Sequence, residues 1–183
     1  LDQEIVKSFY RFGINIYEGY GITECAPLIS VNRPLNIVYG SAGKPVPGCE
    51  AKIDQPDENG VGEILARGDN VMLGYYENEE ATREVFTEDG WFKTGDLGYM
   101  DRENNIFITG RKKNLIILSN GKNVFPEEIE EHLLHSELIA EAVVIERVAQ
   151  TGEQLITALI YPQMELFENL SKEEIFDKIK AEV

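Results

Sequence analysis

The stretch Phe92-Lys93-Thr94-Gly95-Asp96-Leu97-Gly98-Tyr99 leads through Asp101-Arg102-Glu103-Asn104 into Asn105-Ile106-Phe107-Ile108-Thr109. Strand-forming runs on both sides of a polar turn predict a β-hairpin. Two shorter runs upstream, Cys49-Glu50-Ala51-Lys52-Ile53 and Gly62-Glu63-Ile64-Leu65-Ala66, predict further strands. We therefore expect a small β-sheet or barrel in this part of the chain.

Helical patterns flank and interrupt this β region. A short helix is expected over Glu79–Phe86, with Asn78 in the N-cap position. At the start of the chain, apolar residues recur at helical spacing from about Leu1 to Phe12. The alternating run Ile14-Asn15-Ile16-Tyr17-Glu18 then predicts a strand that delivers the chain into a glycine loop, as at the end of an α/β subdomain.

The pattern changes after Arg111, where short strands alternate with helices. Pro126 is placed for the first turn of one helix, and Ser171 opens the S-x-x-E capping box of another. The remaining strands are expected at Leu115–Leu118, Ala142–Glu146 and Leu155–Tyr161. We therefore predict an α+β fold in two domains: residues 1–111 hold the end of an α/β subdomain and the small sheet, and residues 112–183 form a compact α+β domain.

Composition excludes several classes of protein. The chain has 183 residues and a net charge of −16, from 17 basic and 33 acidic side chains. This acid excess disfavours nucleic-acid binding, which depends on neutralising phosphates. No apolar run approaches the roughly 20 residues of a membrane-spanning helix. Cys25 and Cys49 are too few for a disulfide framework and predict reduced thiols and a cytoplasmic location. Peripheral contact with a membrane and the oligomeric state stay open.

Both ends of the sequence lie inside helical patterns. Helical spacing begins at the first residue with no cap ahead of it, and the apolar stripe Ile175, Ile179 and Val183 reaches the last residue. We therefore expect the sequence to be a fragment of a longer chain.

Three short polar motifs follow one another along the sequence. They are Gly19-Tyr20-Gly21-Ile22-Thr23-Glu24, Gly90-Trp91-Phe92-Lys93-Thr94-Gly95-Asp96 and Gly110-Arg111-Lys112-Lys113, and the last runs on into Gly121-Lys122-Asn123-Val124-Phe125-Pro126. Each motif alone is also typical of an ordinary turn. Together they supply an aromatic face, a hydroxyl, two carboxylates and a guanidinium, which are groups that hold a nucleotide with its metal.

The residue types themselves indicate separate roles. A tyrosine ring such as that of Tyr20 can stack on a planar base, and the Thr23 hydroxyl can donate to a phosphate oxygen. The carboxylate of Glu24 is a hard ligand suited to Mg²⁺. An ionised Asp96 can accept hydrogen bonds from both hydroxyls of a ribose, because it has two acceptor oxygens.

The ordered set of motifs closely resembles the acyl-adenylate-forming superfamily, which includes acyl-CoA synthetases, firefly luciferase and the adenylation domains of peptide synthetases. The resemblance extends from about Ile14 to Glu146 and matches the Tyr-Gly-x-Thr-Glu pattern in full. It implies that Tyr20, between Gly19 and Gly21, stacks on adenine. It further implies that Thr23 contacts the α-phosphate and that Glu24 holds Mg²⁺.

The later motifs receive their roles from the same resemblance. Asp96 is implied to bind the ribose hydroxyls, and Arg111 to approach the ribose or phosphate, which places Arg111 with Thr23 and Glu24 in the catalytic group. Lys113 matches the position of the domain hinge. Gly121 lies in a loop that lines the CoA tunnel in relatives, although a plain hairpin turn explains this glycine almost as well.

The function implied by the resemblance is that of an AMP-forming acyl-CoA synthetase. It would use ATP, Mg²⁺ and CoA to activate a fatty acid, with a long chain favoured by Gly-Arg-Lys-Lys-Asn-Leu-Ile and Asn-Gly-Lys-Asn-Val-Phe-Pro. The phosphate-clamping loop and a terminal Gly-Lys of the family have no match here, so the fragment alone is expected to be inactive. Two alternatives stay open: an aryl or amino-acid adenylating domain acting on a carrier protein, and a non-catalytic nucleotide-binding module.

Overall fold

The computed structural model describes residues 3–119, 121–149, 153–168 and 170–183. The chain divides into two compact units between Lys112 and Lys113, and each unit has a hydrophobic core of its own. Leu1, the first residue of the predicted amino-terminal helix, lies outside the described residues. No helix in the described ranges is long and apolar enough to cross a membrane.

Residues 3–112, the described part of the first unit, form two α-helices and two antiparallel sheets. Its helices are α1 (Gln3–Arg11) and α2 (Glu79–Val85). The strands of the first sheet are β1 (Gly19–Gly21), β2 (Leu28–Val31) and β3 (Lys44–Pro45), in that order. The second sheet has the order β4 (Cys49–Asp54), β5 (Gly62–Gly68), β6 (Phe92–Met100) and β7 (Ile106–Arg111).

The second sheet contains the predicted hairpin and shows that the β region is an open sheet rather than a barrel. Strands β6 and β7 pair around the predicted turn, where the Asp101 carboxylate accepts the backbone amides of Glu103 (2.9 Å) and Asn105 (2.8 Å). Within the described residues the outer strands β4 and β7 do not pair with each other, so the sheet is open. Ile64 of β5 and Ile106 of β7 are completely buried and belong to the core of this unit.

The strand predicted at Ile14–Glu18 is wrong. The structure has no strand there, and β1 begins one residue later with the glycine motif itself. A strand needs a neighbour for its backbone groups, and the ladder to β2 starts only at the pair Gly19 and Val31. Alternation of apolar residues was therefore misleading, since Ile14 is half exposed rather than packed against a sheet.

The second unit is the compact α+β arrangement that the sequence predicts. Its elements are β8 (Ile116–Ile117), β9 (Asn123–Val124), α3 (Pro126–Leu133), β10 (Ile139–Val148), β11 (Gln154–Pro162) and α4 (Lys172–Glu182). Strands β10 and β11 form a long antiparallel hairpin. The core of the second unit is apolar and includes Ile139, Phe167, Ile175 and Ile179.

Local capping signals were good predictors of where helices begin. The side chain of Asn78 accepts the amide of Ala81 (3.0 Å) at the start of α2. At α4 the hydroxyl of Ser171 accepts the amide of Glu174, and the Glu174 carboxylate accepts the amide of Ser171 (2.8 Å). Such caps satisfy amides that a helix leaves unpaired at its start.

Candidate functional site

The first motif forms a short strand followed by a tight turn. Gly21 has no room for a side chain, because a Cβ there would lie 2.0 Å from the carbonyl oxygen of Pro27. This close approach lets the amide of Ile22 donate to the same oxygen at 2.7 Å. Thr23 and Glu24 then lie in a 3₁₀ turn. The turn is fixed from a distant loop, since the amide of Met72 donates to the Glu24 carbonyl at 2.7 Å.

The second motif is a bulge in strand β6. Glu63 of β5 pairs with Leu97 and Leu65 pairs with Lys93, so the single residue Ile64 faces the three residues 94–96. The extra residues form a local turn in which Gly95 takes φ of 73°, a conformation that favours glycine. The Thr94 hydroxyl holds this turn to the sheet, because it donates to the Ile64 carbonyl at 2.7 Å.

All three motifs meet at the carboxylate of Asp96. One oxygen accepts the hydroxyl of Tyr20 at 2.5 Å, across 76 residues of sequence. The other oxygen pairs with Nε of Arg111 at 2.8 Å, and Arg111 also donates to the Thr94 carbonyl at 3.3 Å. Asp96 and Arg111 are direct neighbours across β6 and β7. The fold thus assembles a tyrosine, an aspartate and an arginine into one hydrogen-bonded chain.

Burial controls the protonation states of Tyr20 and Asp96. Burial, and after it the hydrogen bond to Asp96, raises the pKa of Tyr20 far above its ordinary value, so its hydroxyl remains a donor. Burial also raises the pKa of Asp96 above 3.8, against the lowering effects of the Tyr20 hydrogen bond and the Arg111 charge. Arg111 is half exposed, and its guanidinium connects the buried carboxylate to the surface.

A cavity of about 890 Å³ opens beside the hydrogen-bonded side chains of Tyr20, Asp96 and Arg111. Its size is in the range of small-molecule sites, which is roughly 300 to 1,000 Å³. Its polar lining combines three carboxylates with three cations and two threonines: Glu24, Glu63, Glu84, Lys93, Arg111, Lys112, Thr23 and Thr94. Of the predicted residues, Gly21, Thr23, Glu24 and Arg111 line the cavity, whereas Tyr20 and Asp96 are buried next to it. The stacking of Tyr20 on a base stays a prediction, and the Tyr20 ring is only 6% exposed in this structure.

Glu24 is placed to contribute one ligand to a metal. One of its oxygens accepts the hydroxyl of Tyr75 at 3.0 Å, and both residues line the cavity. Among the described residues no group of three or more histidine, cysteine or acidic side chains could hold a metal ion. A single carboxylate fits Mg²⁺, which commonly takes one or two protein carboxylates and completes its shell with water and substrate phosphates.

Sequence reasoning missed two residues of this site. Glu63 is 7% exposed; one oxygen accepts the amide of Gly95 at 3.1 Å, and the other pairs with Nζ of Lys112 at 2.7 Å. The available signal was a lone glutamate within the apolar run 62–66, since an unpaired buried charge is costly. Tyr75, the donor to Glu24, had no local signal because its partner lies 51 residues away.

The remaining predicted residues belong to the second unit. Lys113 lies in a 3₁₀ turn over Lys112–Asn114, directly after β7. Gly121 lies in the turn between β8 and β9, with φ of 80° and its amide donating to the Leu118 carbonyl at 2.8 Å. This turn accounts for the glycine without a ligand. Asn120, beside it, lies outside the described residues.

Fold and motifs together match one family of nucleotide-dependent enzymes. The profile described as AMP-binding enzyme matches residues 1–76, and the profile described as AMP-binding enzyme C-terminal domain matches residues 113–183. The chain therefore belongs to the AMP-binding enzyme family, and the predicted superfamily resemblance is confirmed.

Individual relatives include ligases for different acids. Long-chain-fatty-acid–CoA ligase FadD15 of Mycobacterium bovis is 44% identical over 161 residues, which cover 87% of this chain and 25% of that protein. Indoleacetate–CoA ligase of Aromatoleum aromaticum is 36% identical over 167 residues, which cover 87% of this chain and 32% of that protein. The chain thus spans about a quarter to a third of the length of these curated relatives.

A solved structure supports the same family relationship. O-succinylbenzoate coenzyme A synthetase from Bacillus subtilis, in complex with ATP and magnesium ion, superposes with a TM-score of 0.78 and 32% sequence identity. The match covers 94% of this chain and 38% of that one. Both compact units of the present fold therefore have counterparts in an enzyme that binds ATP with magnesium.

Proposed function

We propose that the complete protein containing this chain is an AMP-forming acyl-CoA ligase. In the first half-reaction a carboxylate oxygen of the acid attacks the α-phosphorus of ATP, and pyrophosphate leaves. In the second, the thiol of CoA attacks the acyl carbon, and AMP leaves. The observation that carries the proposal is the convergence of three motifs on Asp96 beside a cavity lined by Thr23, Glu24 and Arg111.

The residues of the first unit would bind and orient the nucleotide. Asp96 has acceptor capacity beyond its bonds to Tyr20 and Arg111, because an ionised carboxylate offers about four lone-pair sites. It would use that capacity for the ribose hydroxyls, with the Tyr20 ring against the adenine and Gly19 and Gly21 flanking it. Binding of the base requires the Tyr20 ring face to be uncovered, so a shift of the neighbouring residues would accompany it.

The cavity residues would act on the phosphates. Thr23 would donate its hydroxyl to the α-phosphate, and the half-exposed Arg111 would reach the ribose or phosphate from the opposite strand. Glu24, oriented by Tyr75, would hold Mg²⁺. When bound, the metal would neutralise phosphate charge during in-line displacement. The task of the protein chain is therefore positioning and charge complementarity.

We propose a long-chain fatty acid as the substrate. The identity of 44% to a long-chain-fatty-acid–CoA ligase supports this choice. An aromatic acid is the second candidate, because an indoleacetate–CoA ligase is 36% identical over a similar share of the chain. CoA is proposed as the acceptor since the relatives named above are CoA ligases. A carrier protein is the alternative acceptor.

The second unit is proposed to act in the thioester-forming step. Lys113, at the first position after the division between the units, would be the hinge, and Gly121 would approach CoA in its tunnel. Because a hinge absorbs motion in a few backbone dihedrals at element ends, a turn directly after β7 suits that role. Two free thiols, Cys25 and Cys49, support a reducing compartment such as the cytoplasm.

Pyrophosphate exchange in the complete protein tests the proposal. We expect ATP–pyrophosphate exchange with a long-chain fatty acid, weaker exchange with indoleacetate, and none with amino acids. Glu24→Gln should lower the exchange rate roughly 100-fold by removing an anionic metal ligand while keeping the side-chain shape. Glu173→Gln, on an exposed position of α4, is the control and should leave the rate unchanged. Nucleotide binding without exchange for any acid would favour a non-catalytic module instead.

A further inference from the structure

We infer that Glu63 is a positioning residue for the Asp96–Arg111 pair, an inference that rests on the proposed function. Glu63 is a buried carboxylate on β5. Its two oxygens bind two different segments: Oε1 accepts the Gly95 amide at 3.1 Å, and Oε2 pairs with Lys112 Nζ at 2.7 Å. Gly95 immediately precedes Asp96, and Lys112 immediately follows Arg111.

The sheet register explains why this clamp matters. Asp96 of β6 and Arg111 of β7 lie opposite each other, at the point where the regular ladder of β6 is interrupted by the bulge. The bulge takes the partly buried Gly95 amide out of the ladder, and an amide shielded from water without a partner costs free energy. Glu63 supplies the missing acceptor and thereby fixes the backbone directly before Asp96.

The second arm of the clamp fixes the other strand. Lys112 is the last residue of the first unit, and its side chain is 60% exposed, so water alone could satisfy its charge. It reaches instead to a carboxylate whose side chain is 9% exposed. A charge-assisted bond to a buried partner has a fixed geometry, unlike a surface pair. One side chain of β5 therefore holds the two residues that flank the pair.

The consequence for function is a fixed distance between two nucleotide contacts. Asp96 is proposed to bind ribose, and Arg111 to approach the ribose or phosphate; a clamp on both sides keeps their geometry before ATP arrives. Preorganisation of this kind lowers the entropic cost of binding. Glu63 itself need not touch the nucleotide, although it is one of the residues that line the cavity.

The test compares three single substitutions, at Glu63 and Lys112, with the double variant Glu63→Gln/Lys112→Met in the complete protein. The readouts are KM for ATP and kcat of pyrophosphate exchange. Glu63→Gln keeps an oxygen for the Gly95 amide and loses the charge that holds Lys112. We expect it to raise KM for ATP about tenfold, equivalent to about 1.4 kcal/mol, with a smaller change in kcat and an unchanged melting temperature. Lys112→Met should raise KM similarly, and Lys112→Arg should restore it.

The double variant separates a clamp from two independent contacts. If Glu63 and Lys112 act as one unit, the double variant has the KM of either single variant. The matched control is Glu50→Gln, which removes a glutamate of the neighbouring strand β4 that pairs with Arg67 at 2.7 Å on the exposed surface. It should leave KM unchanged.

Two results would overturn the inference. The first is a wild-type KM in Glu63→Gln, and if stability and kcat fall at the same time the role of Glu63 is purely structural. The second is additive effects in the double variant. If Glu63→Gln does not fold, the pair Lys112→Met and Lys112→Arg decides by the same KM criterion. Failure of the proposed function is distinguishable, since the wild-type protein would then show no exchange at all.

Discussion

The two units of this chain differ most in what they bury. Among its described residues the first buries seven that are polar or charged, and each of them makes at least one hydrogen bond: Ser30, Asn32, Ser41, Glu63, Thr94, Asp96 and Asn105. In the described part of the second unit every buried residue is apolar. Buried polar groups stabilise a fold only when they are hydrogen-bonded. Their concentration in the first unit therefore marks a region whose side-chain geometry is fixed by hydrogen bonds, at the cost of removing polar groups from water.

This contrast in burial indicates which unit is suited to binding and which to movement. Glu63, Thr94 and Asp96 surround the proposed nucleotide site, and their hydrogen bonds and ion pair connect the three strands β5, β6 and β7. The second unit folds around an apolar core, and its last helix begins with a capping box. Such a unit suits a body that keeps its shape while its position changes. The proposed function accordingly has its nucleotide contacts in the first unit and its acceptor-transfer step in the second.

Substitution of Asp96 in the first unit should have the greatest effect on activity. Asp96→Ala leaves Tyr20 and Arg111 without their shared acceptor and removes the proposed ribose ligand. The two ribose hydroxyls would each lose a hydrogen bond to a charged group, at about 2 kcal/mol each. We therefore expect kcat/KM for ATP to fall roughly 1,000-fold. The control is Asp177→Ala, on an exposed position of α4. Comparable losses in both variants, measured by pyrophosphate exchange, would remove the distinction between the units.

A smaller effect is expected at the division between the units. Lys113→Pro fixes φ near −65° in the turn after β7, so the second unit could no longer rotate about this point. Thioester formation from preformed acyl-AMP should fall about 100-fold, since a misplacement of only 1 Å can cost that much. Adenylation should stay within about threefold of wild type, because it would need one orientation of the units.

The matched control for the hinge is Lys113→Ala, which changes the side chain but leaves the backbone free. It should keep both half-reactions. A proline variant that loses both steps equally would indicate misfolding, and one that loses neither would place the hinge at another residue. Only selective loss of the thioester step supports rotation at Lys113.

The smallest expected effect concerns alkaline stability of the first unit. Burial raises the pKa of Cys25 from 9.0 to about 12, whereas the thiol of the unfolded chain ionises near its ordinary value. Above pH 9 the unfolded state therefore binds fewer protons, and the free energy of unfolding falls as pH rises toward 12. The slope from this group is up to about 1.4 kcal/mol per pH unit. Cys25→Ala should flatten the curve by that amount.

The single tryptophan provides the measurement for this effect. Trp91 is buried in the first unit, so its fluorescence in urea titrations at several pH values follows the unfolding of that unit. The comparison uses slopes against pH, which are insensitive to the constant loss caused by the missing sulfur. An identical slope in Cys25→Ala and wild type would show that other groups govern alkaline unfolding.

The sequence was informative wherever a structural signal is local. The hairpin of β6 and β7, the cap at Asn78 and the capping box at Ser171 all depend on residues within a few positions of one another. The motif order was sufficient to indicate the family. Alternation alone failed at Ile14–Glu18, since a strand exists only where a neighbour offers hydrogen bonds.

The α+β fold class, the elements with local caps and turns, and the membership of the AMP-binding enzyme family can thus be read from the amino-acid sequence. The three-dimensional fold was needed to show that Tyr20 and Arg111 share the carboxylate of Asp96, and that Glu63 bonds to the residues on both sides of that pair. The physical reason is distance along the chain. Tyr20 is 76 residues from Asp96, and Glu63 is 49 residues from Lys112. Bonds across such separations depend on how sheets pair and where a bulge falls, which no short stretch of sequence specifies.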